Sequence, residues 1–229
     1  MTKLFFATDV HGSDVCWRKL VSAGKFYKAN VVILGGDMTG KEVVSLVKQP
    51  DGTVVSDFLG LQTILKSEEE LKIHEKRIKD TGYYPFQATP EEMSELSKDQ
   101  VKASAVFKKL MLQRVEEWVE VAEKNLRETG IKFIVAPGND DSPAIDPILD
   151  ASDIVERAEG KVLEIDGHEM LNSGYSNITP WKTPKECSEE ELKKKIEEMA
   201  SQVKNPRTSI FQLHVPPYGT GIDDAPVLD

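Results

Sequence analysis

The stretch KLFFATDVHG, residues 3–12, places a short apolar run directly before an aspartate and a histidine. A continuous apolar run without polar alternation is typical of a strand buried on both faces, as in a parallel or mixed sheet covered by helices. The pattern recurs where residues 30–34 precede GGD (35–37) and where residues 132–136 precede PGNDD (137–141). Because ligands bind beyond the carboxyl ends of strands in open α/β sheets, we expect these polar clusters to converge on one site.

The composition limits the classes of protein to which this chain can belong. A chain of 229 residues with 39% hydrophobic residues suits one large α/β domain, and its net charge of −10 disfavours generic nucleic-acid binding. Cys16 and Cys187 lie far apart, so neither a disulfide framework nor a zinc ribbon is indicated. The first apolar run stops at Asp9, and no run approaches the roughly 20 residues of a membrane span. We therefore expect a cytoplasmic protein without a membrane partner.

The stretch between the second and third clusters is longer than one crossover helix requires. Residues 43–47 and 53–58 flank Pro50-Asp51-Gly52, which predicts a β-hairpin, and a charged helix is predicted over 67–80. The aromatic residues 83–86 are predicted to form a loop. We interpret residues 41–88 as a cap-like insertion, which also offers a surface for a homo-oligomer.

A capping box at 89–92 predicts the start of a helical stretch that ends near Gly130, with a restart near 97–99. Apolar residues on one face of this stretch are predicted to be core: Met111, Val115, Trp118, Val119, Ala122 and Leu126.

The sequence pattern of the last third of the chain predicts antiparallel β-structure. Residues 161–165 and 169–172 flank an Asp-Gly turn, which indicates a hairpin. A second capping box begins a helix at Ser188 that extends to about Val203, and a strand over 208–213 ends at His214. A fourth polar residue therefore lies at a strand end.

Asp9 and His11 are the pair with the clearest chemistry. They stand one residue apart where a strand ends, and a carboxylate with an imidazole suits zinc, manganese or iron better than calcium. Taken alone, each motif also has an ordinary explanation. Asp-x-His can arise from loop polarity, Gly36-Asp37 and Gly138-Asn139 from turns, and His214 from a hydrogen-bonded turn residue.

The order of the motifs is more specific than any one of them. Asp9-Val10-His11, Gly36-Asp37, Gly138-Asn139-Asp140 and Leu213-His214 follow one another along the chain. This ordered set resembles the calcineurin-like metallophosphoesterases, a family of dinuclear metal hydrolases, and the likeness covers the chain from Lys3 onward apart from the insertion. Residues 174–177, 180–181 and 183–186 add a closer likeness to prokaryotic predicted phosphoesterases related to cyclic-nucleotide phosphodiesterases.

The resemblance implies a fold and a metal centre. The expected fold is α/β, with two facing mixed β-sheets flanked by helices and an inserted hairpin-plus-helix cap, in a single domain over residues 1–229. Two divalent metal ions, manganese, iron or zinc, are implied. Asp9 and His11 are implied to bind the first ion, Asn139 and His214 the second, and Asp37 both. Ions bridged in this way lie about 3.5–4 Å apart, lower the pKa of a shared water and clamp phosphoryl oxygens.

Two features depart from the family pattern. The family commonly has a histidine after this asparagine, to stabilise the transition state or protonate the leaving group, where this chain has Asp140. Either Asp140 is a protonated catalytic group, or Asp140 and Asp141 orient ligands, or catalysis relies on the metals alone. The family's final Gly-His-x-His motif has no match. His74, on a charged helix face, and His168, in a hairpin turn, are predicted to be exposed and so cannot replace it, and Asp141 is also predicted to be exposed. We expect a C-terminal segment beyond residue 229 to supply that motif.

These observations predict a metal-dependent phosphoester hydrolase that acts on a small molecule or nucleotide, with a phosphodiester favoured. Two alternatives remain. The missing final motif supports a non-catalytic binding or scaffold module with the same fold. A nuclease is disfavoured by the net charge of −10, although a local basic patch could coexist with it.

Overall fold

The computed structural model describes residues 1–223 of the chain. Its strands are β1 Leu4–Ala7, β2 Val31–Leu34, β3 Val43–Lys48, β4 Val54–Phe58, β5 Leu61–Leu65, β6 Tyr84–Ala88, β7 Lys132–Val135, β8 Val155–Arg157, β9 Val162–Ile165, β10 His168–Ser173, β11 Ser176–Asn177, β12 Glu186–Cys187 and β13 Ile210–Leu213. Its α-helices are α1 Asp14–Tyr27, α2 Glu68–Thr81, α3 Pro90–Lys98, α4 Gln100–Leu126, α5 Asp146–Asp150 and α6 Glu189–Ala200.

The three apolar runs form neighbouring strands of one sheet, as the sequence predicts. The strand order is β1-β2-β7-β8, and every pairing in this sheet is parallel, whereas mixed pairing was expected. The reason is that β1, β2 and β7 are each followed by a crossover connection that contains at least one helix rather than by a tight turn. Their carboxyl ends therefore meet at one edge, where the three polar clusters begin.

The two faces of this sheet pack against different elements. Alternate residues such as Val32 and Phe133 join a core with Trp17 of α1 and Trp118 of α4, whose rings stack with centroids 4.7 Å apart. On the other face, Ile33 and its neighbours cluster with residues of a second sheet, of order β13-β10-β9. In that sheet β10 pairs parallel with β13 and antiparallel with β9. The chain is therefore an α/β protein with parallel and mixed sheets flanked by helices.

The predicted helical stretch after residue 89 is two helices. A capping box at Thr89 begins α3, and the Asp99 side chain caps α4, which confirms the predicted restart. All six residues of the predicted core face of α4 are buried. None of the described helices combines the length and apolar character that a bilayer crossing requires.

The insertion forms its own sheet, of order β5-β4-β3-β6, with α2 packed beside it. The hairpin of β3 and β4 is confirmed. The loop predicted at residues 83–86 is wrong, because β6 extends the sheet there and pairs parallel with β3. Aromatic residues favour strands, and β6 lies at the sheet edge, where Pro85 is tolerated. Tyr84 is only 1% exposed, since it packs into the main core.

His74 of α2 is buried, so its predicted exposure is wrong. Its ring packs edge-on against Phe58, and its Nε2 lies 3.1 Å from the Ser56 hydroxyl. The insertion has a small core, to which Ile78 of α2 also contributes. A helix face dominated by charge therefore contains one buried stripe, and His74 belongs to it.

Candidate metal centre

The loops that follow β1 and β2 run side by side. Backbone hydrogen bonds join Asp9 N–H to the Gly36 carbonyl at 3.0 Å and His11 N–H to the Asp37 carbonyl at 2.9 Å. A third joins Gly12 N–H to the Met38 carbonyl at 2.8 Å. The side chains of the first two polar clusters are therefore held next to each other by the backbone.

The backbone of these loops is strained at the residues expected to act. Asp9, His11 and Asp37 have φ values of 58°, 40° and 45°, in the left-handed region that side chains other than glycine rarely adopt. Each such residue costs of order 1 kcal/mol or more, and such residues concentrate at functional sites. The conformation directs all three side chains towards a common point.

The first group of donor atoms combines Asp9, His11 and Asp37. The His11 Nε2 lies 3.4 Å from Asp9 Oδ1 and 3.8 Å from Asp37 Oδ2. The contact with His11 lowers the pKa of Asp9, and the same contact raises the pKa of His11. The buried Nδ1 of His11 has no hydrogen-bond partner within the described residues.

The second group combines Asp37 with His214 and Asn139. The His214 Nε2 lies 3.4 Å from Asp37 Oδ1 and 2.9 Å from Asn139 Oδ1, and its Nδ1 lies 3.3 Å from the Gly35 carbonyl. Burial opposes charge on both Asp37 and His214, but their mutual contact outweighs it, so the pKa of Asp37 is lowered and that of His214 is raised. Asp37 thus presents one carboxylate oxygen to each group.

Two glycines allow this close approach. A Cβ on Gly36 would lie 2.1 Å from the His214 Nδ1, and one on Gly138 would lie 2.3 Å from the Asp37 Oδ1. Because real Cβ contacts are never that short, any side chain at either position would displace a donor group. The glycines of the Gly-Asp and Gly-Asn motifs therefore have a packing role at the site.

Thr183 fixes the orientation of Asn139. The Thr183 hydroxyl donates to Glu186 Oε1 at 2.8 Å and accepts from Asn139 Nδ2 at 2.8 Å. Hydrogen bonds from Thr179 lower the pKa of Glu186 to about 2, so that carboxylate is an acceptor at neutral pH. The amide nitrogen of Asn139 is consequently directed away from the site and its oxygen towards His214. The sequence contains no pattern that identifies this role of Thr183.

Replacing Thr183 by valine is expected to weaken Mn²⁺ binding at the Asn139 and His214 group. Removal of a group that orients a ligand typically costs about 10- to 100-fold in metal affinity, and we expect a loss near the lower figure. Titration followed by the electron paramagnetic resonance of free Mn²⁺ measures it. Thr183→Ser retains the hydroxyl and is expected to bind as the unaltered protein does, whereas equal binding by the valine variant would contradict the orienting role.

Asp140 is placed beside both groups and pairs with Lys41. Its backbone N–H donates to Asp37 Oδ1 at 3.1 Å, and its carboxylate contacts the Lys41 ammonium. Burial opposes the charge of Lys41, but the hydrogen bond to Asp140 outweighs it and raises the pKa of Lys41. Of the alternatives open from the sequence, this ion pair favours an orienting role for Asp140 over that of a protonated acid.

Asp141 is fully buried, so its predicted exposure is wrong. Its Oδ1 accepts hydrogen bonds from the N–H and hydroxyl of Thr39, and its Oδ2 accepts from the N–H groups of Met38 and Gly138, at 2.7–3.0 Å. Burial raises the pKa of Asp141, although these four donors oppose the shift. Both oxygens are occupied by the loops after β2 and β7, so Asp141 joins those loops rather than facing the donor cluster.

The structure brings Asp9, His11, Asp37, Asn139, Asp140 and His214 together. Two sets of three donor atoms each lie within 4.8 Å of one another inside the set. One set comes from Asp9, Asp37 and His214, and the other from His11, Asp37 and Asp140. Carboxylate, imidazole and amide oxygen donors fit manganese, iron or zinc. His168 lies outside the cluster, as the sequence predicts: its ring is exposed and its Nδ1 lies 2.8 Å from the Thr208 carbonyl.

Comparison with known proteins gives little beyond this geometry. An uncharacterized protein of Methanocaldococcus jannaschii is 33% identical over 107 residues, which are 46% of this chain and 46% of that protein. The chain thus matches less than half the length of this relative. No family model and no solved structure matches the chain.

Proposed function

We propose that the protein is a phosphoesterase that uses two divalent metal ions, with a phosphodiester as the favoured substrate. The position of Asp37 carries this proposal. One of its carboxylate oxygens lies 3.8 Å from the His11 ring and the other 3.4 Å from the His214 ring. A carboxylate with a separate imidazole at each oxygen is the arrangement expected of a residue that bridges two ions.

The order of the motifs assigns the remaining ligands to the two sides of Asp37, and Asp9 is close enough to serve either side, because it also forms a donor set with Asp37 and His214. Asp9 would join His11 on one side, and Asn139 would join His214 on the other. When bound, two such ions activate a water and neutralise charge on the phosphoryl group. The ordered motifs support a calcineurin-like metallophosphoesterase with its two-sheet sandwich, and the second sheet packed behind β2 and β7 is compatible with that architecture.

The chain's own residues prepare the site in advance. The hydrogen bond from Asp140 N–H orients Asp37, and Thr183 orients Asn139. The His214 Nδ1 lies 3.3 Å from the Gly35 carbonyl, to which it can donate, so Nε2, which lies beside Asn139 and Asp37, is the nitrogen that a metal ion would bind after it loses its proton. Little side-chain reorganisation is therefore needed when metal binds.

The decisive experiment is hydrolysis of bis(p-nitrophenyl) phosphate by the purified protein with Mn²⁺. We expect turnover that stops on addition of EDTA and returns when Mn²⁺ is restored. Because the raised pKa values of His11 and His214 keep these imidazoles protonated and unable to bind metal at low pH, activity is expected to rise as the pH passes those values.

Comparison with p-nitrophenyl phosphate, a monoester, tests the substrate class. A faster rate with the monoester would overturn the preference for a diester. If the protein bound Mn²⁺ but hydrolysed no ester, the proposal of a hydrolase would give way to that of a metal-dependent binding module.

A further inference from the structure

Lys41 is a cation at the metal centre that the proposed ligand set does not use. Its ammonium contacts the Asp140 carboxylate, which stands next to Asn139 in the chain. Its side chain is 60% exposed, whereas that of Asp140 is 13% exposed. The ammonium is therefore held against the cluster on one side and open to solvent on the other. No other ion pair within residues 1–223 brings a lysine or arginine to the donor residues of this centre.

The backbone that carries Lys41 is rigidly positioned. The N–H groups of Met38 and Thr39 donate to Asp141, and the Gly40 N–H donates to the Tyr84 hydroxyl at 2.8 Å. Both acceptors are almost fully buried. Three successive residues are thus anchored immediately before Lys41, so its long side chain starts from a defined point beside Asp37.

The charge balance of the site indicates an electrostatic role for Lys41. Asp140 alone would repel a phosphoryl group that entered beside Asn139. An ammonium has three N–H donors and no acceptor, so pairing with Asp140 leaves donors that face solvent. Hydrogen bonds from a charged nitrogen to phosphate oxygens are short and strong. Lys41 therefore cancels the charge of Asp140 and adds a cationic donor at the same place.

We propose that Lys41 binds a non-bridging oxygen of the substrate's phosphoryl group, and likewise of inorganic phosphate. The inference rests on the proposed function for the identity of its ligand, and it names the residue that recognises the phosphoryl charge. In this arrangement Asp140 is a positioning residue, because it holds the ammonium over the cluster rather than contacting the ligand.

Titration of the Mn²⁺-saturated protein with inorganic phosphate, followed by calorimetry, tests the contact directly. Lys41→Gln is expected to weaken phosphate binding about tenfold, as loss of one charged hydrogen bond predicts. Lys41→Arg retains a cation and is expected to keep most of the affinity. Lys102→Gln is the matched control, because Lys102 is similarly exposed, at 58%, and is also paired with a carboxylate, that of Glu95, which is not one of the donor residues. Its phosphate affinity is expected to be unchanged.

The Asp140→Asn background separates direct contact from simple neutralisation of Asp140. The amide oxygen introduced by Asp140→Asn can still accept a hydrogen bond from the Lys41 ammonium and hold it in place. If Lys41 binds phosphate, Lys41→Gln therefore still weakens phosphate binding when Asp140 is uncharged. Loss of the effect in that background would overturn the proposal, and so would unchanged phosphate affinity in the single variant. Mn²⁺ affinity, measured in parallel, is expected to be unaltered, and a matching loss of Mn²⁺ would also overturn it. Lys41-dependent phosphate binding in a protein that hydrolyses no ester would support this inference while removing the proposed hydrolysis.

Discussion

The variant Asp37→Asn is expected to lose tight binding of both metal ions at once. Asp37 presents one carboxylate oxygen towards His11 and the other towards His214, so the substitution weakens both groups of donor atoms. Loss of a residue that only supports a ligand costs about 10- to 100-fold in metal affinity, and loss of a shared ligand is expected to cost at least about 100-fold at each ion. Mn²⁺ titration gives both affinities, and hydrolysis of the diester should fall below detection.

Two further variants make this result specific. His214→Ala removes a donor from one group only, so it is expected to weaken one ion strongly and to leave more activity than Asp37→Asn. Asp57→Asn alters an exposed aspartate on β4 in the insertion and is expected to change neither affinity. Wild-type activity in Asp37→Asn would eliminate the two-metal mechanism, and the loss of a single ion would show that Asp37 does not bridge.

The parts of the fold that the sequence predicted are those with a local pattern. Three apolar runs were sufficient to identify β1, β2 and β7, and β2 and β7 are buried as such runs predict. The two-sided burial expected of β1 is wrong, because β1 is an edge strand that leaves Leu4 and Phe6 exposed. Strand β6 was missed because Pro85 opposes a strand prediction, and only its position at a sheet edge makes that residue acceptable. The parallel pairing of β3 with β6 is a long-range choice that no local pattern encodes.

The candidate site likewise contains residues that the sequence could predict and residues that it could not. Asp9, His11, Asp37, Asn139 and His214 could be proposed because each follows a strand and their order resembles a family pattern. The residues that support them could not, because their roles exist only in the folded chain. Lys41 contacts Asp140 and Thr183 contacts Asn139 across long sequence separations, and the residues of the second pair are 44 positions apart.

Asp141 and Asp140 show the difference most clearly, since two adjacent aspartates have opposite environments. Asp140 pairs with the exposed side chain of Lys41, whereas Asp141 is buried and accepts four hydrogen bonds, three of them from residues 102 or 103 positions away. The sequence offers no means of telling which carboxylate faces the cluster and which joins the loops. Substituting each aspartate in turn distinguishes the two roles.

Asp141→Asn is expected to lower the free energy of unfolding of the metal-free protein by about 3 kcal/mol. The asparagine is the same size, but its NH₂ group must face two of the donors that Asp141 accepts, and leaving buried donors unpaired costs about 1–3 kcal/mol each. For a chain of this length the corresponding fall in Tm is roughly 6–12 °C. Thermal unfolding in the presence of EDTA measures this loss without a contribution from metal binding.

Asp140→Asn is the matched control for that measurement, because its partner Lys41 is largely exposed and an exposed ion pair contributes at most about 1 kcal/mol. We expect its Tm to lie within a few degrees of that of the unaltered protein. Equal Tm values for the two variants would show that the four hydrogen bonds of Asp141 do not hold the loops after β2 and β7 together. A large difference would show that the buried carboxylate of Asp141 stabilises the junction of these loops, which carry Asp37 and Asn139, before any metal binds.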